Sequence, residues 1–86
     1  MSLRFSTNGS TDPPRVAYAI GRRAGSAVDR NRIRRRLRAA VAGRSDDLLP
    51  GGAYLFAAEP SVLTLGFAEL SSAVAGLLAQ VRESQP

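Results

Sequence analysis

The chain contains no cysteine, no histidine, no lysine and no tryptophan. Without cysteine there is no disulfide framework, no thiolate nucleophile and no Cys-ligated zinc. Without histidine the commonest general base and the commonest metal ligand are missing. Acids are few: Asp12, Asp29, Asp46, Asp47, Glu59, Glu69 and Glu83. Only Asp46 and Asp47 are close in sequence, and adjacent residues diverge on any regular element, so they make a poor paired-carboxylate or two-metal site. Ser and Thr are frequent but have no base to activate them. The glycines fit neither a P-loop nor a dinucleotide fingerprint. The protein alone is therefore expected to hold no hydrolytic centre. Long apolar runs are also missing. None reaches the roughly 18 residues that cross a membrane, and the segment from Met1 to Gly9 lacks the apolar core of a signal peptide. A cytoplasmic protein is the expectation.

What is present is arginine. All twelve basic residues of this 86-residue chain are Arg, against seven acids, for a formal charge of +5. The length allows one small domain, expected over residues 1–86, and the 44% apolar content suits a folded rather than a disordered chain. The charge is unevenly placed. Residues 1–14 are neutral, Arg15 to Arg44 hold ten Arg and one Asp for a net of +9, and the remainder carries −4. A basic segment this dense points to a polyanion as partner, most often nucleic acid.

The element pattern predicts β-β-α-β-α, a small two-layer α/β (α+β) sandwich with two helices on a sheet. Leu3 and Phe5 alternate with polar neighbours in a first strand. Val16, Tyr18 and Ile20 alternate in a second, expected to lie antiparallel to the first across a flexible hairpin loop at 8–14. Ser26 to Ala42 reads as a helix, with Ser26 as N-cap, Asp29 completing a capping box and Gly43 ending it. Ile33, Leu37, Ala40 and Val41 form its apolar stripe. Ala53 to Ala58 is wholly apolar and suits a central strand buried on both faces. Phe67 to Val81 is expected to be a second helix, with Phe67, Leu70, Val74, Leu77, Leu78 and Val81 as its core stripe. Residues 82–86 are expected to be a frayed tail.

On a wheel of the first helix, Arg32, Arg34, Arg35, Arg36 and Arg38 with Asn31 spread over the side away from Ile33. Like charges spaced i, i+4 repel by a few tenths of a kcal/mol each, and no acid after Asp29 relieves them. Arg also suits phosphate through its planar, bidentate fork. Asn31 adds a donor–acceptor side chain able to bond a base edge or a 2′-hydroxyl. Charge density alone does not choose between RNA and DNA.

The run Arg15-Val16-Ala17-Tyr18-Ala19-Ile20-Gly21-Arg22-Arg23, followed by Gly25-Ser26-Ala27-Val28-Asp29-Arg30-Asn31-Arg32-Ile33-Arg34-Arg35-Arg36-Leu37-Arg38, closely resembles the signature of the bacterial ribonuclease P protein component. That family has a strand R-V-G-F-x-V-S-K-K and then the "RNR" helix, G-x-A-V-x-R-N-R-x-K-R-x-x-R. Pro50 to Ala58 resembles its G-x-D-Y-V-x-x-A strand, and Leu65 to Leu70 its L-x-[FY]-x-E-L helix start. The likeness runs from about Arg15 to Leu78, and the RNR segment is its specific part.

The resemblance implies the fold of that family, ribosomal protein S5 domain 2-like, with a left-handed β-α-β crossover. It implies an accessory subunit of a ribonucleoprotein endonuclease whose catalytic RNA removes the 5′ leader of precursor tRNA with Mg²⁺. The ion is required by the RNA subunit and no protein ligand for it is implied. Arg30, Asn31, Arg32, Arg34, Arg35 and Arg38 would contact the catalytic RNA, and Arg22 and Arg23 match the family's basic loop. Tyr18 matches an aromatic strand position that could face the leader cleft or the core. No membrane and no protein partner are implied. Family members usually begin with a helix carrying two Phe-type residues that line the leader cleft, then a further strand. This chain begins within what would be a sheet strand, so weaker leader binding is expected beside an intact RNA-subunit surface. Lys positions of the family are Arg here, and Asp29 replaces an apolar residue. The alternative reading is a general RNA- or DNA-binding module with no part in tRNA processing. An Arg-rich helix lying on anionic membranes is disfavoured, since its apolar stripe is short and rich in Ala.

Overall fold

Alternating apolar residues in two strands and one continuous apolar run assemble a three-stranded sheet. In the computed structural model, which describes residues 1–85, β1 is Ser2–Thr7, β2 is Arg15–Ala19, α1 is Ala27–Ala42, β3 is Gly52–Ala57 and α2 is Phe67–Ser84. Short 3-10 turns occupy Arg22–Ala24, Ser45–Asp47 and Pro60–Leu63. The strand order is β1-β3-β2, with β1 antiparallel and β2 parallel to β3.

The first two strands therefore do not pair as a hairpin. β3 inserts between them, because a strand with no charged residue can be paired along both edges. β1 and β2, which carry Arg4 and Arg15, take the exposed edges, where charge discourages further pairing. Residues 8–14 cross the end of β3 instead of turning tightly. Asn8 donates to the Gly51 carbonyl at 3.3 Å, and the Gly51 amide donates to the Asp12 carbonyl at 2.7 Å. Gly51 has φ +72°, and a Cβ there would collide with the Ser10 backbone, so this crossing requires glycine.

The helices cover one face of the sheet. Tyr54 and Phe56 of β3 point into the core with Ile33, Leu37, Ala40 and Val41 of α1 and Leu70, Val74 and Leu78 of α2. Each fully buried Val, Leu, Ile or Phe among them contributes about 1.5–3 kcal/mol. Register sets Phe5 and Val16 on either side of Tyr54, and Leu3 and Tyr18 on either side of Phe56. The Tyr54 hydroxyl accepts from the Leu49 amide at 2.8 Å, which satisfies its polar end.

Three expectations are corrected here. β3 is central in pairing but buried on one face only: Leu55 is 37% exposed, and Ala53 and Ala57 are half-buried. A single helix layer covers one side of a sheet, and an apolar strand is no proof of a second. Phe67 is 52% exposed rather than part of the core stripe. It is the first residue of α2 and sits beyond the end of the core. Finally, α2 continues through Ser84, since Leu77 and Val81 still pack on the core. Residues 82–84 are thus helical rather than frayed, and the last position of that expected tail, 86, lies outside the described residues.

Candidate nucleic-acid interface

The basic segment begins on a turn fixed by a small buried side chain. Ala24, with only 3% of its surface accessible, anchors the turn Arg22–Ala24, and Arg22 and Arg23 are left exposed. The Gly25 amide closes that turn onto the Arg22 carbonyl at 3.2 Å. Helix α1 then starts with the expected capping box. The Asp29 amide donates to Ser26 Oγ at 3.2 Å, and the Ser26 amide donates to Asp29 Oδ2 at 3.3 Å. Gly25 has φ +120°, and a Cβ there would lie 2.7 Å from Asp29 Oδ2. Only glycine lets the loop meet the cap so closely.

Along α1 the apolar stripe faces inward and holds the opposite side to solvent. Asn31, Arg32, Arg35 and Arg38 are exposed, and Arg34 is half-buried with its Nη1 donating to Asn31 Oδ1 at 3.3 Å. These five residues and Val28 line one shallow polar depression. The contact from Arg34 orients the Asn31 carboxamide while its amide nitrogen remains available. Among the described residues the one ion pair joins the Met1 amino group to Glu59, so none of these guanidinium groups is neutralised by a carboxylate. The structure thus brings together the RNR-segment residues singled out from the sequence, with Arg22 and Arg23 just ahead of the same helix.

Three side chains depart from that picture. Arg30 is half-buried, and its Nε is the buried side-chain polar atom left without a partner among the described residues. Of the predicted contacts it shares this half-buried state with Arg34. Arg36, placed outward by the wheel, turns along the molecule instead. It donates through Nη1 to the Val62 carbonyl at 2.6 Å and through Nη2 to the Leu65 carbonyl. Its charge caps the carbonyls of the segment between β3 and α2. Tyr18 lies on the helix-covered face of β2, stacked on Phe56 with ring centroids 6.0 Å apart and with the Arg38 guanidinium 6.0 Å above its ring. It does not point to the uncovered face of the sheet, because even positions of β2 face the core. Burial raises its phenol pKa, and the nearby Arg38 charge offsets part of that rise.

Two features escaped the sequence reading. The uncovered face of the sheet forms a second depression lined by Arg4, Ser6, Arg15, Ala17, Ala53 and Leu55. Its signal was in the alternation, which sends Arg4 and Ser6 opposite Leu3 and Phe5, but the strand order was needed to bring Arg15 alongside. A third groove, more apolar than the α1 depression, runs between α1 and the start of α2, lined by Arg32, Arg35, Arg36, Ala39, Leu63, Leu65 and Phe67.

The sequence profile of the family described as Ribonuclease P matches residues 1–82. The chain belongs to the ribonuclease P protein family. It is 40% identical over 76 residues to the ribonuclease P protein component of Beutenbergia cavernae, a match covering 88% of this chain and 64% of that one. It is 38% identical over 85 residues to the component from Acidothermus cellulolyticus, covering 94% and 71%. The chain thus spans about two thirds of the length of these curated relatives. Among solved structures, the ribonuclease P protein of Thermotoga maritima superposes with a TM-score of 0.78 at 20% identity, covering 91% of this chain and 74% of that one. That of Staphylococcus aureus does so with 0.75 at 18%, covering 92% and 72%. These likenesses establish the ribonuclease P protein fold for the two-layer sandwich.

Proposed function

We propose that the chain acts as the protein subunit of ribonuclease P, binding a catalytic RNA and supporting removal of the 5′ leader from precursor tRNA. The observation that carries this reading is the outward face of α1, where Asn31, Arg32, Arg34, Arg35 and Arg38 share one depression and, among the described residues, no acid pairs with the guanidinium groups. An RNA phosphate backbone supplies the missing charge, and guanidinium forks bind it in a fixed register. Arg22 and Arg23 extend this surface ahead of the helix. Asn31, oriented by Arg34, is the side chain suited to a base edge or a 2′-hydroxyl.

The uncovered sheet face, flanked by Arg4 and Arg15, is the surface for the leader strand. A positively charged groove that tracks the backbone is one part of the usual design for single-stranded nucleic acid. Cleavage itself is assigned to the RNA and its Mg²⁺. Among the described residues no three of His, Cys, Asp or Glu come together as a metal site. The cytoplasm is the compartment we propose for this work. Among the described residues no helix is long and apolar enough to cross a membrane.

The test is reconstitution with a ribonuclease P catalytic RNA at low Mg²⁺, with precursor tRNA as substrate. The protein should increase cleavage above that of the RNA alone, and the double change Arg34→Ala, Arg38→Ala should reduce the gain without unfolding the chain. With about six phosphates neutralised, the log–log salt dependence of RNA binding should have a slope near about −4. No gain in cleavage, together with equal affinity for unrelated RNAs of the same length, would leave a general nucleic-acid-binding module in its place.

A further inference from the structure

The groove between α1 and α2 has a composition that the phosphate-binding face does not explain. Arg32 and Arg35 stand on the ridge between the two, since they line both the polar depression and this groove. Beyond the ridge the walls are Ala39, Leu63, Leu65 and the exposed ring of Phe67. The groove is also held in shape. Arg36 reaches from α1 to the Val62 and Leu65 carbonyls, so the segment carrying Leu63, Leu65 and Phe67 is tied to the helix carrying Arg32 and Arg35. One side therefore offers cations for phosphate, and the other, at fixed distance, an aromatic ring and aliphatic surface.

Resting on the reading of α1 as an RNA-binding helix, we propose that this groove receives one unpaired nucleotide of the bound RNA. Its base stacks on Phe67 against Leu63 and Leu65, and its phosphate is held by Arg32 and Arg35. Charge complementarity and continuity with the α1 face select this occupant. A protein segment with an apolar side chain would need acids to meet Arg32 and Arg35, whereas a nucleotide brings its own anion. RNA presents such bases at bulges and loops, where they can be splayed out and stacked on aromatic side chains. Arg36 acts here as a positioning residue, its guanidinium committed to protein carbonyls.

The experiment compares two RNA hairpins that differ only by a single bulged adenosine, bound to the full chain over a range of salt. The unaltered protein should prefer the bulged hairpin by roughly five- to hundredfold, the range set by stacking of one base. Phe67→Ala should remove that preference. Phe67→Leu, which keeps an aliphatic wall but no π-face, should remove most of it, and Phe67→Tyr should retain it. None of these changes alters charge, so the salt slope should stay as it is. A preference that survives both Phe67→Ala and Phe67→Leu overturns the proposal. Equal binding of the two hairpins by the unaltered protein overturns it too, while leaving the RNA-binding reading of α1 in place. Failure to bind either hairpin overturns both.

Discussion

Arg35 and Arg36 are neighbours in sequence with different work. Arg35 is exposed on the basic face, whereas Arg36 donates both ends of its fork to the Val62 and Leu65 carbonyls. Hydrogen bonds from charged donors contribute about 1.5–3 kcal/mol, and removing this one leaves two carbonyls to find other partners. Arg36→Ala is expected to lower unfolding free energy by about 2 kcal/mol in urea titrations, while Arg35→Ala stays within about 0.5 kcal/mol. RNA affinity should show the contrast the other way, with Arg35→Ala reducing the salt slope by about 0.7. Tyr18 gives a second expectation at this scale. Its folded pKa is raised, first by burial, with Arg38 pulling it partly back. The neutral phenol is therefore the form the fold prefers. Its contribution is complete below the unfolded value of about 10 and is lost as pH rises through the higher folded value. Arg38→Ala should move the Tyr18 midpoint upward, as followed by NMR of its ring carbons. A downward movement would mean that the Arg38 charge does not act on the phenol.

At the scale of the element, α1 is the part most fully legible in the sequence. Its cap, stripe and end at Gly43 all follow from local chemistry: Ser26 and Asp29 satisfy each other, and Ile33, Leu37, Ala40 and Val41 share one side. Ser26→Ala is accordingly expected to cost about 1 kcal/mol. Gly25→Ala should cost more, because it adds left-handed strain and drives a Cβ onto the Asp29 carboxylate. Thermal melts of the two variants would rank them, and Gly25→Ala proving the milder would refute the tight loop-to-cap contact. The sheet was less legible for a physical reason. Alternation tells which residues of a strand share a face, but not which strand lies between the others. The insertion of β3 depends on pairing along both its edges, a non-local preference that neither β1 nor β2 records alone. The same limit explains Leu55 and Phe67. Apolar character at helical or strand spacing marks what can be buried, and only the assembled layers decide that Leu55 faces outward and that Phe67 lies past the end of the core.

For the whole molecule, the formal charge of +5 matters less than its division between two surfaces. The α1 face and the sheet face are separated by the hydrophobic core, since the helices cover only the side of the sheet that Tyr54 and Phe56 enter. Arg32, Arg34, Arg35 and Arg38 serve the first surface, and Arg4 and Arg15 the second. Under the proposed function, this division lets a catalytic RNA and a leader strand be held at once without competing. The separation also makes the two functions separable by mutation. Arg4 and Arg15 are exposed edge-strand residues whose side chains make no ion pair among the described residues, so Arg4→Ala with Arg15→Ala should change stability by no more than about 1 kcal/mol. In the assembled ribonucleoprotein the double variant should bind the catalytic RNA as the unaltered protein does. It should weaken precursor tRNA binding by several-fold when a 5′ leader is present and leave binding of leaderless tRNA unchanged. Losing two phosphate contacts to a single strand should also lower the salt slope for precursor binding by about 1.4. An equal loss with and without the leader would assign Arg4 and Arg15 to the body of the tRNA, and a loss of catalytic RNA binding would join the two basic surfaces into one.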